Sequence, residues 1–168
     1  TVNYSKLRDR WLIIGKGASD KVGKEEFYAG TPAEGAFDGI KNTKRGGVKQ
    51  KIVLELTTID KEWISLGSPN VSAIKIDVEG SEISVLNGAL SCIRNQKPFI
   101  FVEWNEENLA AYEMSPCSIL EFCKTIHYKI YSLPNLIKVE DEIDLEIQMR
   151  VTENFLLASA SAKSFGPV

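Results

Sequence analysis

The sequence predicts an α/β domain in which helices cover both faces of a mostly parallel sheet. Strand-like apolar runs alternate with segments of helical spacing, the pattern that a parallel sheet with crossover helices produces. One run, FIFVEWN at residues 99–105, is almost wholly apolar, as expected in the middle of such a sheet. The 168 residues, of which 43% are hydrophobic, are enough for one core, so we interpret residues 1–168 as a single domain.

The first third of the chain predicts strands separated by a long loop. RWLIIGKG (10–17) is apolar and stops at glycines, which predicts a buried strand, and GKEEFYAG (23–30) predicts a second, shorter strand. Residues 31–50 are rich in glycine and lysine and predict an exposed loop, which is either simply solvated or a lid over an anionic ligand. Residues 51–60 alternate apolar and polar positions and predict a half-buried strand.

The middle of the chain predicts a helix–strand–helix–strand succession. Asp60 is the predicted N-cap of a short helix that Gly67 closes. SAIKIDV (72–78) is the next predicted strand. Residues 81–95 keep apolar side chains at helical spacing and predict one continuous helix, after which Pro98 introduces the apolar strand FIFVEWN.

The last third predicts one more helix and two more strands. Ser115 and Pro116 begin a helix over residues 117–126, which a strand at 127–133 follows. The acidic stretch EDEIDLE (140–146) predicts a solvated surface turn. A final strand is expected within residues 151–159, and the tail that follows it should be frayed.

Composition excludes several functional classes. The net charge of −3 gives no reason to expect nucleic acid or an anionic membrane as a partner, and no apolar run reaches the ~18 residues of a membrane span. No signal peptide is visible. Cys92, Cys117 and Cys123 form no CxxC pair and His127 is the single histidine, which argues against zinc and favours reduced thiols in a cytoplasmic protein.

The stretch IKIDVEGSE (residues 74–82) concentrates charge on and just beyond a predicted strand. Lys75 and Asp77 are two residues apart, so they share one face and can pair. Gly80 permits a tight exit from the strand, and Glu79 and Glu82 lie near the start of the next helix, where its dipole favours negative charge. The cluster is either a strand-end ion pair with helix-start acids, or a site that holds a polar substrate and takes its proton.

Glu103 strengthens the second interpretation. It ends the neighbouring predicted strand, and ligands of α/β sheets bind beyond the carboxyl ends of strands. Asp77 and Glu103 should therefore face one crevice, where crowding raises the pKa of a carboxyl group and suits it to general-base work. Lys75 would lower the charge density or orient a hydroxyl group. Metal-binding acids would give the same pattern.

Two segments, IKIDVEGSEISVLNGA followed by KPFIFVEWN, resemble the signature of FkbM-type methyltransferases. GKGASDKVGKEEFY, VLELTTIDKEW and ENFLLAS are similar, in order, to further segments of that family. The resemblance implies a Rossmann-like class I methyltransferase fold and S-adenosylmethionine as the cofactor. It also implies methyl transfer to a hydroxyl group of a small molecule or glycan.

The resemblance also implies roles for particular residues. Ala18, Ser19 and Asp20 would lie near the adenine of the cofactor, and Asp77 would lie by its methionine end and the acceptor. Glu79 and Glu103 would line the acceptor side, with a carboxylate as the base or orienting group. Lys75, beside Asp77, completes the set of candidate catalytic residues.

One departure from the family is the absence of its glycine-rich strand–turn–helix and of the ribose-binding acid that follows it. The chain therefore resembles the carboxyl-terminal portion of the fold, without its first ~60 to 80 residues. Such a fold would leave an apolar strand edge uncovered, so we expect self-association. Two alternatives stay open: a non-catalytic binding or oligomerisation module descended from a methyltransferase, and a metal-dependent hydrolase using Asp77, Glu79 and Glu103.

Overall fold

The computed structural model describes residues 10–29 and 50–161. Strands and helices alternate along most of this part of the chain, as the sequence predicts. The strands are β1 (Gly17–Ala18), β2 (Gly23–Ala29), β3 (Gln50–Thr57), β4 (Ala73–Ile76), β5 (Phe99–Glu103), β6 (Tyr128–Ser132), β7 (Ile137–Val139) and β8 (Asn154–Ser159). The helices are α1 (Ile59–Ser65), α2 (Glu82–Asn87), α3 (Leu90–Gln96), α4 (Glu106–Ala111), α5 (Ser118–Ile126) and α6 (Glu142–Met149).

These strands form two mixed sheets, so the prediction of a mostly parallel sheet is wrong. The smaller sheet has the order β1-β3-β2 and the larger has the order β4-β5-β8-β6-β7. Only β1–β3 and β4–β5 are parallel pairs, and the other pairs are antiparallel. A parallel connection needs a long crossover, whereas β6 and β7 are joined by residues 133–136 alone and must form a hairpin. The apolar strand β5 is an inner strand of the larger sheet, next to the edge strand β4, and its other neighbour is the antiparallel strand β8.

The core lies between the larger sheet and helices α2 to α6. Trp104 follows β5, is fully buried, and donates its indole N–H to the carbonyl oxygen of Pro116 at 3.0 Å. It is therefore a packing residue. Cys92, Cys117 and Cys123 are free thiols. The largest fully buried side chains around Trp104 include Phe155, Leu86, Ile93, Ile100, Leu109, Ile119, Ile130, Leu145 and Leu157.

The segment predicted as one helix over residues 81–95 is two helices, α2 and α3, which meet at Gly88. A Cβ atom at Gly88 would lie 2.0 Å from the carbonyl oxygen of Ser19, so the chain bends where that backbone approaches. The prediction that Asp60 caps α1 is also wrong. Thr58 caps α1, and the Asp60 carboxylate accepts hydrogen bonds from backbone N–H groups of α3.

The acidic stretch at 140–146 begins a helix, α6, and does not form the predicted turn. The Asp141 side chain caps the helix by accepting from the N–H of Asp144 at 2.9 Å. Acids in the first turn suit the positive end of the helix dipole, so the same charges that indicated a solvated turn stabilise a helix start. Of the predicted loop at 31–50, residues 31–49 lie outside the described residues, as does the tail beyond residue 161, and Gln50 begins β3.

Residues 11–14 contradict the prediction of a buried strand. Trp11, Leu12 and Ile13 are 59%, 65% and 63% exposed, and only the end of this run joins a sheet, as β1. Strand β4 lies at the edge of the larger sheet, and its outer side has no strand partner among the described residues. Within the same residues, none of the helices is both long and apolar enough to span a membrane.

Candidate active site

The candidate site lies at the carboxyl ends of β4 and β5, the parallel pair of the larger sheet. The register pairs Ile76 with Val102. Asp77 is the next residue after Ile76 and Glu103 is the next after Val102, so both carboxyl groups emerge side by side from the same sheet edge. This is the edge at which α/β sheets bind ligands.

Three carboxyl groups come together there. Asp77, Glu79 and Glu103 each offer an oxygen atom, and these atoms lie within 4.8 Å of one another. Glu79 is buried, Glu103 is half-buried and Asp77 is exposed, so the cluster runs from the protein interior to the solvent. Oxygen atoms at this spacing can accept from one hydroxyl group or surround one cation.

Lys75 pairs with Asp77, as the sequence predicts. Its ammonium nitrogen lies 3.3 Å from a carboxylate oxygen of Asp77, and both side chains are about half exposed, at 51% and 48%. The face of β4 that carries the pair is therefore open to solvent. An exposed pair contributes little to folding stability, so its position beside the carboxyl cluster is its most informative feature.

The turn after β4 has an unusual backbone. Glu79 and Gly80 are consecutive residues with positive φ, 55° and 105°. Gly80 packs against α4 so closely that a Cβ atom would lie 2.6 Å from the ring of Tyr112 and 2.7 Å from the carbonyl oxygen of Asn108. Glu82 is 2% exposed, and its carboxylate accepts from the backbone N–H groups of Gly80 at 3.2 Å and Val78 at 3.3 Å.

Burial raises the pKa of Glu103, and the charges of Asp77, Glu79 and Glu153 raise it further, while Lys75 opposes them. The side chain is held by the amide of Asn105, which donates to a Glu103 carboxylate oxygen at 3.2 Å. A held carboxyl group of raised pKa is suited to accept a proton from a substrate. Burial likewise raises the pKa of Glu82, against the opposing effect of its backbone hydrogen bonds.

The segment Ala18–Asp20 is tied to α2 through Ser84. The buried Ser19 hydroxyl lies 3.1 Å from the Ser84 hydroxyl, which donates to the Asp20 carboxylate at 3.0 Å and accepts from the Asp20 N–H at 3.2 Å. Ser19 is thus occupied within the fold, while the Asp20 side chain reaches the surface.

Ala18 lines two cavities, one on each side of it. A cavity of about 150 Å³ is shared by Ala18, Asp77 and Ser81. A second, of about 360 Å³, lies between Ala18 and the apolar side chains of Trp63 and Ile74. Ala18 and Asp77, predicted to face one ligand, therefore border a common space, whereas Ser19 and Asp20 line neither of these two cavities.

Three contributors to the site were not assigned from sequence. The sequence indicates Glu82 only as a helix-start acid and predicts no role for Ser84 or Asn105. The side chain of Asn105 caps α4 by accepting from the N–H of Asn108 at 2.9 Å, and the same side chain holds Glu103. An asparagine directly before an acidic pair is a recognisable N-cap signal and could have revealed α4.

Comparison with known proteins adds three findings. A sequence profile of the Methyltransferase FkbM domain matches residues 8–136. Among solved structures, the chain is similar to Methyltransferase FkbM from Methylobacillus flagellatus KT, with 17% sequence identity and a TM-score of 0.49. That similarity covers 93% of this chain and 30% of the other. Among curated protein sequences, none matches.

Proposed function

Because this chain belongs to the Methyltransferase FkbM domain family, we propose that it transfers a methyl group from S-adenosylmethionine to a hydroxyl oxygen, or forms the carboxyl-terminal part of an enzyme that does so. The acceptor is a hydroxyl group of a small molecule or glycan. In this proposal residues 1–168 form one domain, and its α/β arrangement is a variant of the Rossmann-like class I fold.

The observation that carries the proposal is the cluster at the ends of β4 and β5. Asp77, Glu79 and Glu103 bring carboxylate oxygens within 4.8 Å of one another, with Lys75 bound to Asp77 at the solvent side. A hydroxyl group entering this cluster meets several acceptors and one cation. Methyl transfer to oxygen needs such an acceptor group, because an alcohol is a weak nucleophile until its proton is taken.

The cavities at Ala18 are where we propose that S-adenosylmethionine binds. The larger, at about 360 Å³, lies within the range of small-molecule sites, and Trp63, Ile59 and Ile74 give it apolar walls suited to an aromatic base. Asp77 borders the smaller one, so Ala18 and Asp77 are the residues we propose to contact the cofactor. Ser19 supports them through Ser84. When bound, the cofactor supplies an electrophilic methyl group on a sulfonium.

The chain's own residues handle the proton. The acceptor O–H bond breaks as Glu103 takes the proton on its free carboxylate oxygen, while Asn105 holds the other oxygen. Asp77 and Lys75 orient the hydroxyl group, and Glu79 lines the inner side of the cluster. The deprotonated oxygen would be the nucleophile toward the methyl group that the bound cofactor supplies. Burial of Glu79 shields the inner side of the cluster from water, while Lys75 and Asp77 face the solvent.

The test is binding of S-adenosylhomocysteine by isothermal titration calorimetry, followed by a methyl-transfer assay over hydroxyl acceptors. We expect micromolar binding, and a loss of transfer of about 100-fold in Glu103→Gln, the low end of what general-base groups contribute. Glu121→Gln removes a carboxylate from the exposed side of α5 and serves as the control. Absence of binding together with absence of transfer would refute the proposal for this chain. Hydrolysis that required a divalent cation, in a chain without methyl transfer, would favour the metal-dependent hydrolase alternative.

The open edge of β4 supports a second proposal, that the chain associates with another copy of itself. Among the described residues, β4 lacks an outer strand partner, and Trp11–Ile14 form an exposed apolar run that is not paired in a sheet. Each chain thus provides both an open strand edge and an apolar segment that could cover such an edge. In a two-fold symmetric dimer, the apolar segment of each copy would cover the β4 edge of the other. Sedimentation should show a dimer that Ile13→Lys dissociates; a monomer at high concentration would refute this proposal.

A further inference from the structure

The side chain of Glu82 does more than begin a helix. We propose that Glu82 is a positioning residue, whose carboxylate fixes the turn at residues 78–80 and thereby holds Glu79 against Glu103. This inference rests on the proposed function, because it assigns Glu82 to the same carboxyl cluster. It is independent of which hydroxyl compound is the acceptor.

The hydrogen bonds of Glu82 run backwards along the chain to the turn. One carboxylate oxygen accepts from the N–H groups of both Val78 and Gly80, at 3.3 and 3.2 Å. Glu82 is only 2% exposed, and burying a carboxylate is costly. A helix-start acid that served only the helix dipole would be as effective at the surface. The burial therefore points to the turn as the partner of Glu82.

The turn needs such a partner because its backbone is unfavourable. Glu79 has a φ of 55° although it carries a Cβ atom, and Gly80 follows with a φ of 105°. A non-glycine residue in this region costs about 1 kcal/mol or more, and persists only where the surroundings impose it. In this conformation the carboxyl group of Glu79 lies within 4.8 Å of those of Asp77 and Glu103.

The other side of the turn is held by α4, which also holds Glu103. Gly80 packs against Tyr112 and the carbonyl oxygen of Asn108. Asn105 caps the same helix through Asn108 and donates to Glu103. Glu82 on one side and α4 on the other thus clamp the turn, and a shift of the turn alters the spacing between Glu79 and Glu103.

Three variants of Glu82 separate its hydrogen bonds from its charge. Glu82→Gln removes the charge and keeps an oxygen that can accept both N–H groups. Glu82→Asp keeps the charge but retracts the carboxylate by one methylene, and Glu82→Leu removes both the charge and the acceptor. Glu121→Gln, on the exposed side of α5, is the matched control.

The main readout is the pKa of Glu103, followed by NMR of its side-chain carboxyl carbon. Besides Glu82, the charged groups that face Glu103 are Asp77, Glu79, Glu153 and Lys75, and all remain in each variant. We expect Glu82→Gln to change this pKa only through the lost charge of Glu82, whereas Glu82→Asp, which keeps that charge, and Glu82→Leu should lower it by about half a unit or more, because Glu79 moves away. Amide exchange at Gly80 should rise about tenfold in the latter two variants, the equivalent of one lost hydrogen bond.

Methyl transfer gives a second readout, in which kcat should fall about tenfold in Glu82→Asp with little change in KM, because misplaced groups slow the reaction more than they weaken binding. An unchanged Glu103 pKa in folded Glu82→Asp would overturn the inference. So would a Glu82→Gln variant as disturbed as the aspartate. If the chain shows neither cofactor binding nor transfer, the proposed function fails, whereas the NMR result still decides the role of Glu82.

Discussion

Substitution of Gly88 by alanine is the change for which we predict the clearest effect on the free energy of unfolding. This residue follows α2 with helical dihedral angles, φ −73° and ψ −2°. At such a position Gly→Ala ordinarily stabilises a protein by about 0.4 to 1 kcal/mol, because alanine loses less backbone entropy on folding. We predict the opposite sign here, because the added Cβ atom would lie 2.0 Å from the carbonyl oxygen of Ser19 and 2.9 Å from its carbonyl carbon.

The magnitude follows from what has to move. Both close atoms belong to backbone, so the Ser19 segment must retreat by more than an ångström. That segment is held by the hydrogen bond from the Ser19 N–H to the carbonyl oxygen of Thr57 at 2.8 Å and by the bonds of Ser19 and Asp20 to Ser84. Overpacking costs about 1 to 3 kcal/mol and each lost hydrogen bond about 1 kcal/mol, so we expect Gly88→Ala to lower the free energy of unfolding by about 3 to 5 kcal/mol.

Urea denaturation followed by circular dichroism measures this change, and the melting temperature should fall by roughly 10 °C. Gly23→Ala is the control, because a Cβ atom at Gly23 has no neighbour within 4 Å. The control should change the free energy of unfolding by less than about 0.5 kcal/mol. A Gly88→Ala variant as stable as the parent would refute the close approach of Ser19 to the α2–α3 bend.

Three other substitutions test the site and its support. Glu103→Gln should be more stable than the parent at pH 7, by up to about 0.5 kcal/mol after solvent screening. Because the folded pKa of Glu103 is raised, protonation of Glu103 stabilises the fold fully at pH values below its unfolded pKa of about 4.3. This stabilisation is lost as the pH rises through the folded pKa, so the difference in urea midpoint between Glu103→Gln and the parent should vanish at low pH. Asp60→Ala should cost about 1 to 2 kcal/mol, because α3 loses the cap on the N–H groups of Ser91 and Cys92, whereas an unchanged urea midpoint would contradict that role. Ser84→Ala should weaken S-adenosylhomocysteine binding about fivefold in calorimetry, the equivalent of one hydrogen bond, and unchanged affinity would separate Ser84 from the cofactor side.

Local patterns were enough to predict most strands and the meeting of Asp77 with Glu103. Strands β3, β4, β5 and β6 and the final strand β8 were all located from apolar runs and alternation. Adjacent parallel strands bring their carboxyl ends to one edge whatever the rest of the sheet does. The prediction that Asp77 and Glu103 lie close together is therefore correct although the predicted sheet type is wrong, because their proximity depends only on the β4–β5 register.

What could not be predicted depends on contacts distant in sequence. The bend at Gly88 exists because residue 19 packs there, and Asp60 caps a helix that begins thirty positions later in the chain. Helical periodicity alone therefore predicts one continuous helix across the bend at Gly88 and the start of α3. The hydrogen bonds of Glu82 could not be predicted for a similar reason. Its carboxylate accepts from the N–H groups of Val78 and Gly80 only because the turn brings those groups to it.

The charges of the site make its residues interdependent. Besides burial, the charges of Asp77 and Glu79 raise the pKa of Glu103, so removal of either carboxylate should lower that pKa. Lys75 acts in the opposite direction, and its loss should raise the pKa of Glu103 further. Substitutions at Asp77 and Glu79 should then be non-additive, because both act through the same proton acceptor. In the proposed mechanism the cluster therefore acts as a unit, and we expect the pKa of Glu103 to depend on the turn with which Glu82 makes its hydrogen bonds.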